Sequence, residues 1–254
     1  MNTIVLTNSN AGTTLKYKLS LKLNNPMRLE NCLVCISDIS LYYSWPNIKA
    51  SYGNNKGRYK RTTDNREFDI IIPDGSYEIK DINNYLQFVM KNNGDKEDDT
   101  TKYPIELYAN HIYQRVTIVT KDKYILELPI EGLGKVLGFT KGAVSGVKNV
   151  YIGPNKTQNG NEIPQVERVE SVSVHCNLVN NRYQLDYSLI YSFTPDKSFG
   201  SLLNIKPNFP HWRNTKSNID INEIEVWFTD QDNRPLDIED PKIRVELLIK
   251  DGDL

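Results

Sequence analysis

Leu15-Lys16-Tyr17-Lys18-Leu19-Ser20-Leu21-Lys22-Leu23 alternates an apolar residue with a polar one at every step. Side chains of an extended chain point to opposite faces with a period of two, so this stretch reads as a β-strand with one dry and one wet face. The pattern returns where Val172, Val174, Cys176 and Leu178 interleave with Ser171, Ser173, His175 and Asn177. It returns again in Ile224, Val226 and Phe228 and in Val245, Leu247 and Ile249, on either side of the turn-forming run Asp230-Gln231-Asp232-Asn233-Arg234-Pro235. Those last two segments are therefore expected to be neighbours. Further strands are expected over 33–43, 68–72, 105–108, 113–120, 124–128, 147–152 and 187–193.

Helical signals are few. Ile79, Ile82, Leu86 and Val89 recur at spacings of three and four, which predicts an amphipathic helix over 80–91, and a short turn of helix is expected over 133–137. About ten short strands separated by Gly, Pro, Asn and Asp, with one or two small helices, point to an all-β fold, a single jelly-roll sandwich. The polar stretches near 44–67, 92–102 and 153–164 read as long loops or small insertions, giving one domain over 1–254 with N- and C-terminal strands paired.

Lys and Arg total 31 against 32 Asp and Glu, a formal net charge of −1, so bulk electrostatics do not hold this chain to nucleic acid or an anionic membrane. No apolar run approaches the roughly 20 residues that span a bilayer as a helix, and Met1-Asn2-Thr3-Ile4-Val5-Leu6-Thr7 lacks the basic and long apolar regions of a signal peptide. A soluble protein made in the cytosol is expected. Three cysteines are too few for a disulfide scaffold and suit a reducing compartment.

No catalytic constellation stands out. Cys32-Leu33-Val34-Cys35 has the spacing of a redox pair or half a zinc site, with His175-Cys176 as a nominal other half. Strand positions three apart face opposite ways, so buried thiols are expected and no metal or cofactor. Gly132-Leu133-Gly134-Lys135-Val136-Leu137-Gly138 fits neither nucleotide-loop pattern and reads as a turn into a short helix. His111, His175 and His211 are scattered without a hydrolase signature, and no carboxylate pair stands out.

One segment invites a surface role. Lys49, Lys56, Arg58, Lys60, Arg61 and Arg66 interleave with Trp45, Tyr52 and Tyr59. Such a mixture can hold single-stranded nucleic acid, meet a neighbouring subunit, or simply be solvated. The acidic run Asp95-Lys96-Glu97-Asp98-Asp99 could face it from the next subunit, which makes Trp45, Tyr52, Arg58, Tyr59, Lys60, Arg61, Asp98 and Asp99 the candidate interface residues.

Several segments together resemble the minor capsid, or penton, proteins of Polinton (Maverick) elements and related virus-like elements. They are Tyr43-Ser44-Trp45-Pro46-Asn47-Ile48 with Asn54, Asn55 and Tyr59, Asp74 to Asn83, Leu133 to Phe139, Val174 to Asn180, and Ile224 to Asp237. The resemblance spans most of the chain. It implies a non-enzymatic single jelly roll at the fivefold vertices of an icosahedral virion, a homopentamer whose other partner is a double-jelly-roll major capsid protein. The competing reading is a carbohydrate-binding or attachment jelly roll, with tyrosines and Trp45, Trp212 and Trp227 available to stack on sugar rings.

Overall fold

A computed structural model describes residues 1–8, 15–95, 103–141, 146, 148–167, 169–181, 187–216, 219–240 and 242–252. The chain opens with β1 (Asn2–Thr7), β2 (Lys18–Leu29) and β3 (Cys32–Tyr42). Next come β4 (Lys56–Arg61), β5 (Arg66–Ile71), helix α1 (Ile79–Asn92), β6 (Ile105–Asn110), β7 (Arg115–Thr120) and β8 (Tyr124–Pro129). Helix α2 (Leu133–Val136), β9 (Asn149–Ile152) and β10 (Lys156–Asn159) complete the middle of the chain. It ends with β11 (Val172–Cys176), β12 (Leu189–Phe193), β13 (Leu202–Ile205), β14 (Arg213–Asn214), β15 (Ile219–Asp230) and β16 (Arg244–Asp251).

The chain divides into two compact units, one formed by Met1–Trp45 with Val169–Leu254 and one by Pro46–Arg168. The first unit holds two antiparallel sheets. Sheet I runs β1-β16-β3-β13, with β14 also on β3, and sheet II runs β12-β11-β15-β2. With β13 and β14 counted as one interrupted strand, the eight strands of this unit pair first with eighth, second with seventh, third with sixth and fourth with fifth. Eighth with third and fourth with seventh then complete the two sheets. This is a long hairpin rolled on itself, which is jelly-roll winding.

The alternation that predicts the strands also builds the core. Leu19 of β2, Leu41 of β3, Val174 of β11, Val226 and Phe228 of β15, and Val245 and Leu247 of β16 bury their side chains in one cluster drawn from both sheets. The expected pairing of N- and C-terminal strands is present as β2 against β15, and a strand the periodicity does not reveal, β1, pairs with β16. Two local expectations need correction. The strand expected over 15–23, β2, starts at Lys18, because Lys18 N donates to Leu15 O in a turn and Leu15 lies exposed. β15 and β16 are not neighbours but sit in opposite sheets, because the connection between them buries Leu236, Ile238 and Ile243 and so carries the chain into the core.

The second unit has its own core and two further sheets, β10-β7-β6 and β5-β4-β8-β9. Helix α1 buries Ile82 and Leu86 of the predicted apolar stripe together with Met90, while Ile79 and Val89 are partly buried against the same core. Its N-terminus is closed by Glu78 N donating to Asp81 Oδ2 at 3.0 Å. Its C-terminus ends at Gly94, with φ 78°, where Gly94 N bonds Lys91 O and Asp95 N bonds Met90 O. Asn83 Oδ1 accepts Leu107 N at 2.9 Å, so the helix covers the outer edge of β6.

The expectation of one domain over 1–254 with loop insertions gives way here. The stretch near 44–67 holds β4, and that near 153–164 holds β10. Together with the strands between them they make a unit rather than loops. Their strand character is hidden because β4 places only Gly57 and Tyr59 inside and β10 buries no side chain.

Candidate assembly surface

The predicted surface residues part company. Trp45 is 2% exposed, packed in the first unit's core with its ring 4.4 Å from Tyr43. Tyr59 is fully buried in the second unit and stacks on Phe68 at 4.9 Å. Neither is an interface residue of the folded chain, because in each case the ring fills a core. Tyr52 is half-buried in a short 3₁₀ turn, Ala50–Tyr52. Arg58 is exposed on β4 with Lys60 half-exposed beside it, and its own sheet supplies the counter-charges. Arg58 pairs with Asp69 and Glu67 at 3.0 Å each, and Lys60 lies 3.9 Å from Glu67. Asp98 and Asp99 lie outside the described residues.

Arg61 meets Asp95, the first residue of the acidic run, but within the same chain and in a buried polar cluster rather than across subunits. Asp95 is 3% exposed and accepts bonds from Tyr59 Oη at 2.6 Å, Tyr124 Oη at 2.9 Å and Arg61 Nη1 at 2.6 Å. Asn93 Nδ2 donates to Tyr59 Oη at 3.0 Å, and Arg61 also grips Asp64. Burial, then the bond to Asp95, pushes the Tyr124 phenol up to about 12 and raises Tyr59 as well. The bonds to Asp64 and Asp95 raise Arg61, and the same guanidinium lowers Asp64 to about 2. Each acceptor oxygen of Asp95 has a donor, so the cluster ties the end of α1 to β4 and β8.

The other nominal sites also resolve into structure. Cys32, Cys35 and Cys176 are free thiols. Cys32 packs against the first unit's core, whereas Cys35 pairs with Leu248 on the other face of β3. Burial pushes Cys176 up to about 12, which makes it a poor nucleophile. No group of three metal-binding side chains occurs among the described residues. His175 is buried, with Nε2 2.9 Å from Thr229 Oγ1 and its ring stacked on Trp227 at 5.4 Å. The glycines of 132–138 allow close backbone approach: a Cβ on Gly134 would lie 2.6 Å from Pro129 O, and one on Gly132 would lie 2.7 Å from Gly53 O. Trp212 is covered by Lys250 at 4.8 Å. Of the three tryptophans offered for sugar stacking, Trp45 is buried in the core, while Trp212 and Trp227 are half-buried with one neighbour each against the ring.

Two segments that carry the family resemblance meet in the second unit. Asn47 Nδ2 donates to Tyr77 O at 2.8 Å and Asn47 Oδ1 accepts Tyr77 N at 2.9 Å. Asn54 bonds Asn47 O and Lys49 N, Asp74 Oδ1 accepts Ala50 N at 2.7 Å, and Ile48 bridges Gly75. Asn55 Nδ2 donates to Ile72 O at 3.0 Å. The asparagines are thus backbone clamps between 47–55 and 72–77.

No known protein family matches the chain by sequence, and no curated protein does. Among solved structures it is similar to the crystal structure of the mavirus penton protein, with 12% identity over 98% of this chain and 99% of that one and a TM-score of 0.49.

Proposed function

We propose that the chain is a structural shell protein, a penton-type vertex block that forms a homopentamer in the capsid of a Polinton-like virus. It is made in the host cytoplasm, and its other partner is a double-jelly-roll major capsid protein. It has no catalytic role. The observation that carries this reading is the eight-strand winding of the first unit, an architecture that serves in capsid and lectin domains. The burial of Trp45 removes one of the rings offered for the lectin use. The resemblance segments supply backbone clamps and core rather than reactive groups, which suits a passive block.

Co-production with a major capsid protein of the same element tests the proposal. Shells imaged by electron microscopy should carry density at the fivefold vertices that is lost when this chain is omitted. Vertices unchanged by its omission would overturn the reading.

A further inference from the structure

Sheet edges are sites where a β protein must either block or accept another strand. The described residues of the first unit have four such edges: β1 and β13/β14 on sheet I, β2 and β12 on sheet II. Two are blocked. In β2, residues 23–26 loop out opposite Asn222 and include Pro26, while Lys18, Lys22 and Arg28 add charge. On β13, Lys197 Nζ donates to the outward Leu202 O at 2.9 Å, and Pro207 and Pro210 interrupt the chain before β14.

The other two are open. β1 is Asn2-Thr3-Ile4-Val5-Leu6-Thr7 and β12 is Leu189-Ile190-Tyr191-Ser192-Phe193, both without charge or proline. Asn8 N reaches Ile243 O, so the main chain of Asn8, and with it Leu6 and Ile4, faces β16. Thr3 and Val5 therefore turn their N–H and C=O outward, where no strand of the described residues pairs with them. In β11, Asn177 N bonds Glu225 O, so Val172 and Val174 face β12; their partners Phe193 and Tyr191 face back, and Ser192 faces out. The bulge in this pair falls before Tyr191 and leaves that end regular.

β1 packs across the sandwich from β2, and β2 is the edge of sheet II opposite β12. The two open edges thus lie on opposite flanks of one jelly roll. A contact between two different patches on opposite flanks is the heterologous kind that closes into a ring. We infer that β1 of one copy pairs with β12 of the next, joining sheet I to sheet II around the assembly. The inference rests on the vertex reading and names the strands that make it.

Mass measurement of the full chain and two edge variants tests it, with lysines placed on exposed or half-exposed side chains as edge guards: Thr3→Lys with Val5→Lys, and Ser192→Lys. Each variant alone should weaken the ring by about tenfold or more in dissociation constant, with an unchanged melting profile. A mixture of the two variants retains one sound contact and should stop at a one-to-one pair. Amide exchange of the unmodified chain should slow at Thr3, Val5 and Ser192 on assembly. A ring that survives both variants, or unchanged exchange at these amides, overturns the edge pairing while the vertex reading stands. An unmodified chain that stays monomeric overturns both.

Discussion

At the residue scale buried polar groups tie the elements together. Asp95 is the clearest case, a buried carboxylate with three strong donors. Asp95→Ala would leave Arg61 short of a partner and two phenols unsatisfied, and should cost about 3–5 kcal/mol of stability, read by chemical denaturation. Tyr59 and Tyr124 give a pH signature. Both phenols have folded-state pKa values raised above the ordinary 10.0, so their stabilisation is complete below about pH 10 and fades as pH rises toward 12. Tyrosinate absorbance should rise in a late phase that coincides with unfolding, and Tyr124→Phe should shrink that phase. A single early phase for all 15 tyrosines would contradict the assignment. Little of this cluster was legible in the sequence. Charge complementarity sets the acidic run from Asp95 against the basic run with Tyr59 and Arg61, but nothing local reveals that Asp95, beyond a helix, closes over them in the same chain and is buried there.

At the element scale, β16 is the keystone of sheet I, since it alone joins β1 to β3. Val245, Leu247 and Ile249 are buried, and three such side chains contribute on the order of 5 kcal/mol, so removing 240–254 should abolish cooperative folding of the first unit. A truncated chain with the unaltered melting profile would contradict this. Two glycines make a graded test in the second unit. A Cβ at Gly94 meets nothing within 4 Å, so Gly94→Ala should cost only the left-handed backbone penalty, about 1 kcal/mol. At Gly138 the φ is also positive and a Cβ would run into Glu162 O, so Gly138→Ala should cost clearly more in the same denaturation experiment. Strands with a full alternating stripe, such as β11, β15 and β16, were readable from sequence, as was α1. β4, β10, β13 and β14 were not, because short or polar strands are made by main-chain pairing that leaves no stripe. β1 escaped because its six residues alternate too little.

At the scale of the whole molecule, the all-β class and the pairing of an N-terminal with a C-terminal strand, β2 with β15, follow from periodicity, whereas the β1–β16 pairing and the division into two units do not. An insertion between the third and fourth strands of a jelly roll has the same strand grammar as its host, so only the contacts separate them. Because the second unit has a core of its own, a fragment covering 46–168 should fold and melt cooperatively by calorimetry; a fragment without a melting transition would show that its core depends on the rest of the chain. The central claim is that this jelly roll is a shell block that assembles with itself. The mass of the purified chain in solution tests it most directly: five copies of 29.2 kDa make a ring of about 146 kDa, which the account predicts, and a monomer at every concentration would contradict it.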